Sequence, residues 1–342
     1  VAKKKKKSNK ARMNFDKLKK SMIDTFGDEN IFMLGDKKQT SKDGLPTGFF
    51  SFNLATGING IPKGRITELY GAEGSGKTTL ALSAIANMQA NGGKVGYIDA
   101  ECALDPVWAQ KLGVNPTELL ISQPEYGEMG LDIANRMISS GALAMVVVDS
   151  VAALTPKAEL EGDFGDSNVG KHAKMIAQAM RVLTNITAKT GTSLVFLNQI
   201  RINLKKAMSG FGGDPTDTPG GNALKHFCSM RVGLRKMGNK LYTLSNSENA
   251  EGIGPKIHFH IVKNKRYIPY QKGNFIIPIR GYDKAFDIFY TAVELGVIEI
   301  NGSWYSFDSE NLGQGAEKAF EAFKNLKAPM RKELVSRLQE KY

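Results

Sequence analysis

Gly71-Ala72-Glu73-Gly74-Ser75-Gly76-Lys77-Thr78 fits the pattern G-x-x-x-x-G-K-S/T of a phosphate-binding loop. Glycines at this spacing let successive backbone N–H groups turn inward around phosphate oxygens. Lys77 is then placed to reach the β and γ phosphates, and Thr78 to hold Mg²⁺, with Thr79 following in the same turn. The motif carries weight because of its setting: it follows the apolar run Arg65 to Tyr70 and opens a helical pattern from Gly76 to about Ala90.

Acidic and amide side chains end other strand-like runs. Asp149 follows Met145-Val146-Val147-Val148, which puts a carboxylate at the tip of a buried strand, where open α/β sheets bind ligands. Beside a phosphate loop this is the Walker-B position, suited to Mg²⁺ or its water. Asp99, Glu101 and Asp105 lie at or beyond the end of Lys94 to Asp99, and all three compete on sequence alone for the role of a base orienting water against a γ-phosphate. Asn198-Gln199 ends the run from Ser193, and a side-chain amide there could bond that phosphate and report its loss.

Two long polar, glycine-rich segments stand where strands end, Glu161 to Lys171 and Arg201 to Gly221. Segments of that length are usually either functional or disordered. The second combines Arg201, Lys205 and Lys206 with Ile202, Leu204, Met208 and Phe211, a mixture suited to phosphate contact and base stacking.

The elements that must position these residues alternate in kind. Strand-length runs at 65–70, 94–99, 143–149 and 193–198 are separated by helical patterns at 76–90, 105–112 and 173–189, which argues an α/β fold with a largely parallel, doubly wound sheet. Met230 to Arg235, Leu241 to Leu244 and Lys256 to Val262 then follow as strands without intervening helices, an antiparallel extension at the sheet edge. In the last of them Ile257, Phe259 and Ile261 alternate with His258 and His260, so one face is buried. From Arg280 a helix near 283–295, a hairpin at Asn301-Gly302 and two helices broken by Pro329 read as a small α+β domain. Ahead of the core, Phe15, Leu18, Met22, Ile23 and Phe26 make one apolar stripe on a helix that Gly27 ends, followed by the short apolar stretch Ile31 to Leu34 and a polar linker from Gly35 to Gly44.

The chain has 342 residues, 46 Lys plus Arg against 34 Asp plus Glu, and a formal charge of +12. Nine lysines and Arg12 against the single acid Asp16 place +9 of that in the first 20 residues; Lys3 to Lys7 is a self-repelling block of a kind that usually stays disordered, readable as a solvated tail or as an arm that adds phosphate contacts to nucleic acid. Polyanionic partners are favoured. With 42% hydrophobic and 23% charged residues the chain is globular, and its longest apolar run, Ala142 to Val148, is far too short to span a membrane. The basic start lacks an apolar run behind it and so does not read as a secretory signal. Two cysteines, Cys102 and Cys228, make no disulfide framework, and a reducing, intracellular compartment is the default expectation. The four histidines show no metal-ligand spacing.

Gly71 to Thr79, Tyr97-Ile98-Asp99-Ala100-Glu101, Val148 to Glu159, Phe196 to Arg201 and Gly220 to Lys225, read together, resemble the bacterial RecA recombinases, a likeness running from about Phe15 to Gly315. The resemblance implies an ATP-dependent recombination protein that coats single-stranded DNA as a helical filament, pairs it with duplex DNA and exchanges strands. It assigns Gly71, Glu73, Gly74, Ser75, Gly76, Lys77, Thr78 and Thr79 to ATP phosphate, Thr78 and Asp149 to Mg²⁺, Glu101 to the hydrolytic water, Gln199 to γ-phosphate sensing, and Asp105 and Trp108 to adenine. Lys263 and Lys265 match lysines that reach the neighbouring subunit's ATP, which replaces their bland reading as a solvated turn. The loops, taken as 161–172 and 200–221, match the family's DNA-binding loops. That assigns Val169, Lys174, Arg181, Arg201, Asn203, Lys205, Lys206, Met208, Phe211, Gly220, Gly221 and Asn222 to DNA.

The implied organisation is an arm at 1–13, a polymerisation helix and linker at 14–44, a RecA-like ATPase core at 45–279 and a C-terminal domain at 280–342. Expected partners are DNA, further copies of the chain, and recombination mediators or a single-strand binding protein. Departures include Trp108 where tyrosine is common, Val169 for methionine, His226 for phenylalanine, Arg280-Gly281 for a tyrosine-glycine pair, a longer second loop and a net basic 328–342 in place of an acidic tail. They suggest a divergent member, bacterial or phage-encoded, in which case the compartment is the host cytoplasm. The competing readings are a ring helicase built on the same fold and a DNA coat that binds ATP only as a switch.

Overall fold

The structure is a computed structural model describing residues 14–28, 30–33, 44–163, 170–202, 216–244, 252–281 and 283–341. The lysine arm at 1–13, most of the linker before Gly44, and Val169, Asn203, Lys205, Lys206, Met208 and Phe211 lie outside the described residues. The chain forms two compact units, Val1–Ser41 and Lys42–Tyr342. In the first, α1 (Phe15–Phe26) starts at Asn14, whose side chain accepts from the Asp16 N–H, and stops at Gly27, whose positive φ of 85° terminates the helix. The expected stripe is there, but no residue of it is buried and Phe15 is 61% exposed.

The second unit opens with β1 (Gly44–Leu45), α2 (Phe50–Ala55) and β2 (Ile61–Pro62), which pairs with β1. There follow β3 (Ile66–Gly71), α3 (Lys77–Ala90), β4 (Val95–Asp99), α4 (Pro106–Lys111), β5 (Leu119–Ser122), α5 (Gly127–Ser139), β6 (Met145–Asp149), α6 (Lys157–Leu160), α7 (Lys171–Thr190) and β7 (Ser193–Gln199). The short pair β8 (Arg201–Ile202) and β9 (Thr216–Asp217) leads to α8 (Gly221–Phe227), β10 (Met230–Lys236), β11 (Lys256–Asn264) and β12 (Lys272–Ile276). Eight strands form one sheet in the order β12-β11-β10-β3-β7-β6-β4-β5. From β10 to β5 every pairing is parallel, and β11 and β12 add antiparallel.

The continuous apolar runs follow from burial on both faces. In β6, Met145 and Val147 enter the core shared with α2 and α3, while Val146 and Val148 enter the core under α5 and α7. In β7, Val195 and Leu197 divide from Leu194 and Phe196 in the same way. The alternation in β11 is as the sequence predicts, with Ile257, Phe259 and Ile261 buried and the two histidines half-buried.

Three expectations need correction or completion. Leu241 to Leu244 is not a strand: only Tyr242 pairs, with Gly254, and the run is apolar because Tyr242 and Leu244 pack on the C-terminal aromatic cluster. β5 and α5 have no counterpart among the expected elements; in β5, Leu120 and Ile121 stay exposed on an edge strand and so break the buried pattern. The third concerns the C-terminal segment, made of α9 (Lys284–Glu294), β13 (Glu299–Asn301), β14 (Trp304–Phe307), β15 (Glu310–Gln314), α10 (Ala316–Lys324) and α11 (Ala328–Glu340), around Phe286, Phe289, Tyr290, Phe320 and Phe323. Pro329 does not break the last two helices; it sits in the first turn of α11, where its missing N–H costs nothing, and the break lies before Ala328.

Candidate active site

β3 ends in Gly71, where a Cβ would stand 2.3 Å from the Leu234 carbonyl oxygen. Gly74 and Gly76 adopt φ of 67° and 88°, a region that penalises side chains, so the motif's glycines are required by its path. Gly76 precedes α3 without any side-chain cap, leaving the first helical N–H groups free to receive an anion. Lys77 Nζ donates to the carbonyls of Gly71 and Ala72 at 3.1 and 2.8 Å. Burial draws its ammonium below the usual lysine range, against the opposing charges of Asp149, Glu101 and Glu73. Gly74 to Thr79, Trp108, Pro255, Ile277 and Ile279 line a cleft of about 300 Å³ over the loop.

At the other side of Thr78 lies Asp149, the last residue of β6. Thr78 Oγ1 donates to Asp149 Oδ2 at 3.0 Å, and the Tyr97 hydroxyl donates to the same oxygen at 2.7 Å. Burial pushes the Asp149 carboxyl up, while the bonds from Tyr97 and Thr78 pull it down. A hydroxyl and a carboxylate beside a phosphate loop are hard oxygen donors, few in number, and this donor set fits Mg²⁺ completed by phosphate and water.

Of the three competing acids, geometry separates the roles. Asp99 is buried and accepts from the N–H groups of Ala103 and Leu104 and from Gln123 Nε2. Asp105 caps α4, accepting from the N–H groups of Val107 and Trp108. Glu101 is exposed, and its Oε1 accepts from Gln199 Nε2 at 3.3 Å and from the Ser150 hydroxyl.

Behind Gln199 lies a buried network that no local motif marks. Asn198 Nδ2 donates to Glu68 Oε1 and to the Pro219 carbonyl, both at 2.9 Å, and Asn198 Oδ1 accepts from the Gln199 N–H. The fully buried Glu68 carboxylate meets Arg231 Nε at 2.5 Å, and that guanidinium lies over the Tyr70 ring. The available signal was an acid inside the buried run Ile66-Thr67-Glu68-Leu69, which demands a partner. Pro219 is where the chain returns from the second long loop, whose base the β8–β9 pair closes.

Lys263 and Lys265 stand elsewhere. Lys263 Nζ donates to the carbonyls of Lys225 and His226 at 2.6 and 2.9 Å, and Lys265 approaches the latter at 3.5 Å, so both hold the C-terminal end of α8. Burial, then the charge of Lys265, lowers the Lys263 ammonium. Neither lines the phosphate-loop cleft. Lys174 and Arg181 are exposed on α7, Arg201 is exposed on β8, and Gly220, Gly221 and Asn222 form the start of α8.

A parallel sheet feeding a glycine loop into a helix, with Asp149 on β6 and Glu101 facing Gln199 across the strand tips, defines a P-loop nucleotide-binding protein. Residues 14–282 match the family model of the RecA N-terminal domain and residues 287–342 that of the RecA C-terminal domain. The chain is 43% identical over 311 residues to Protein RecA of Thermus aquaticus, covering 91% of this chain and 89% of that protein. To the Campylobacter lari protein of that name it is 45% identical over 309 residues, 90% and 87% of the two chains, and to the Aquifex pyrophilus protein 46% over 295 residues, 86% and 82%. The chain belongs to the RecA family of recombinases, DNA-dependent ATPases that form filaments on DNA.

Proposed function

We propose that this chain itself hydrolyses ATP with Mg²⁺ while coating single-stranded DNA, and uses that cycle to pair the strand with homologous duplex and exchange strands. The observation that carries this reading is the contact of Gln199 with Glu101 across the strand tips, in a chain whose Lys77 and Thr78 line the phosphate-loop cleft.

In this reading the N–H groups of Gly74 to Thr79 and the Lys77 ammonium bind phosphate. Trp108 offers the adenine a flat apolar surface. Thr78 and Asp149 hold Mg²⁺, which when bound supplies positive charge to the phosphate oxygens. Glu101 accepts a proton from the attacking water and orients it, and Gln199 moves between Glu101 and the γ-phosphate as the nucleotide state changes. Because Asn198 joins Gln199 to Pro219, that movement reaches the second long loop, where Arg201, Asn203, Lys205, Lys206, Met208 and Phe211, with Gly220 to Asn222, meet DNA. Val169, Lys174 and Arg181 serve the first loop. Lys263 and Lys265 neutralise phosphates bound by the adjoining copy, so that ATP closes the subunit interface.

The arm at 1–13 adds phosphate affinity, 14–44 docks on the next copy, 45–279 is the ATPase and 280–342 a smaller C-terminal domain. No described helix is long and apolar enough to cross a membrane, and we assign the protein to the cytoplasm, with mediators or a single-strand binding protein as further partners. Electron microscopy with single-stranded DNA and a non-hydrolysable ATP analogue tests the assembly: helical filaments are expected, and closed rings would overturn it. ATP turnover unresponsive to single-stranded DNA would overturn the enzymatic part.

A further inference from the structure

Tyr97 has no exposed surface, yet it carries a hydroxyl that must find a partner inside the sheet. β4 and β6 pair in parallel with Tyr97 opposite Val147 and Asp99 opposite Asp149. Val147 and Tyr97 point into the same core, the one under α3, and Asp149 lies two residues beyond Val147 on that same face. α3 covers the face and begins at Lys77 and Thr78. Three elements therefore converge on one oxygen: from inside the core Tyr97 donates to Asp149 Oδ2 at 2.7 Å, and from the start of α3 Thr78 donates to it at 3.0 Å.

We infer that Tyr97 is a positioning residue for the Mg²⁺ site: its hydroxyl fixes the Asp149 carboxylate in the orientation that takes the Thr78 proton. With that proton engaged, the lone pairs of Thr78 Oγ1 are turned away from Asp149 and left for the cation. Without the Tyr97 hydroxyl this half-buried carboxylate oxygen loses one of the two donors that reach it among the described residues, the one that comes from inside the core. Groups that orient a metal's ligands in this way set its affinity, commonly by ten-fold or more. The inference rests on the assignment of Thr78 and Asp149 to Mg²⁺ proposed above.

The test is Tyr97→Phe in the full chain, with binding of a fluorescent ADP analogue measured across a MgCl2 titration and again in EDTA. The phenyl ring keeps the packing of the core. The expected result is a rise of about ten-fold in the Mg²⁺ concentration at half-effect, with nucleotide affinity in EDTA unchanged. Tyr97→Leu, which also empties part of the core, should show the same Mg²⁺ shift together with a lower melting temperature. Unchanged or tighter Mg²⁺ dependence in Tyr97→Phe overturns the inference, as does a shift seen only in Tyr97→Leu. If the unaltered protein binds the analogue equally in Mg²⁺ and EDTA, the assignment of Thr78 and Asp149 fails first and takes the inference with it.

Discussion

Gln199 Nε2 lies 3.3 Å from Glu101 Oε1, joining the tip of β7 to the segment that follows β4. The two strands are not neighbours, since β6 lies between them. Ser150, just past the end of β6, donates to the same Glu101 oxygen, so the tips of three successive strands meet at one carboxylate. A γ-phosphate that draws Gln199 away would free Glu101 for water.

Glu101→Gln keeps the shape and the Ser150 contact but cannot accept a proton. Its ATP turnover in the presence of single-stranded DNA should fall roughly 100-fold or more, the scale of general-base contributions. Nucleotide binding should persist and filaments should be long-lived. Turnover at an unaltered rate would remove Glu101 from the reaction.

Arg231→Met should leave the Glu68 carboxylate buried without its counter-ion, a change that typically costs about 3–5 kcal/mol. Urea unfolding of the single variant measures this. Adding Glu68→Gln removes the stranded charge, so the double variant should recover much of the loss. Equal stability of the single and double variants would show that the pair is not coupled.

Glu294 ties the end of α9 to the sheet edge, accepting from Lys256 Nζ at 2.8 Å and Asn274 Nδ2 at 2.9 Å. Burial raises its carboxyl, but the bonds from Lys256 and Asn274 outweigh that and hold it below the usual glutamate value. A carboxyl depressed in the folded state contributes stability above its unfolded pKa, and this is lost as the pH falls through the folded value. Glu294→Gln should therefore cost about 1 kcal/mol at neutral pH, a value reduced by partial exposure. The gap from the unaltered protein should close in acid. A gap independent of pH would assign the effect to packing.

Deleting residues 1–12 removes Lys3 to Lys7, Lys10 and Arg12, seven cations. DNA affinity should fall and its dependence on salt flatten, because fewer counterions are released. ATP hydrolysis saturated with DNA should be retained. An unaltered salt slope would leave the arm with no part in DNA binding.

Local chemistry is legible in a linear chain. The phosphate loop, the apolar runs that end in Asp149 and Asn198-Gln199, and the alternation in β11 are each contained in one short stretch. Their residue types answer to nearby geometry: positive φ at Gly74 and Gly76, burial on two faces in β6, on one in β11. Even the surplus of +12, concentrated near the start, is a property of sequence alone.

What the sequence left open was which of Asp99, Glu101 and Asp105 meets Gln199, that Tyr97 lies under Asp149, and that Arg231 is the partner of Glu68. Those pairs are 52 and 163 residues apart. Only strand order and register brought them together, because Asp99 turns to cap its own following segment, Asp105 caps α4, and β10 lies against β3. A buried carboxylate must be paired wherever the fold puts it, and the identity of the partner belongs to the tertiary structure.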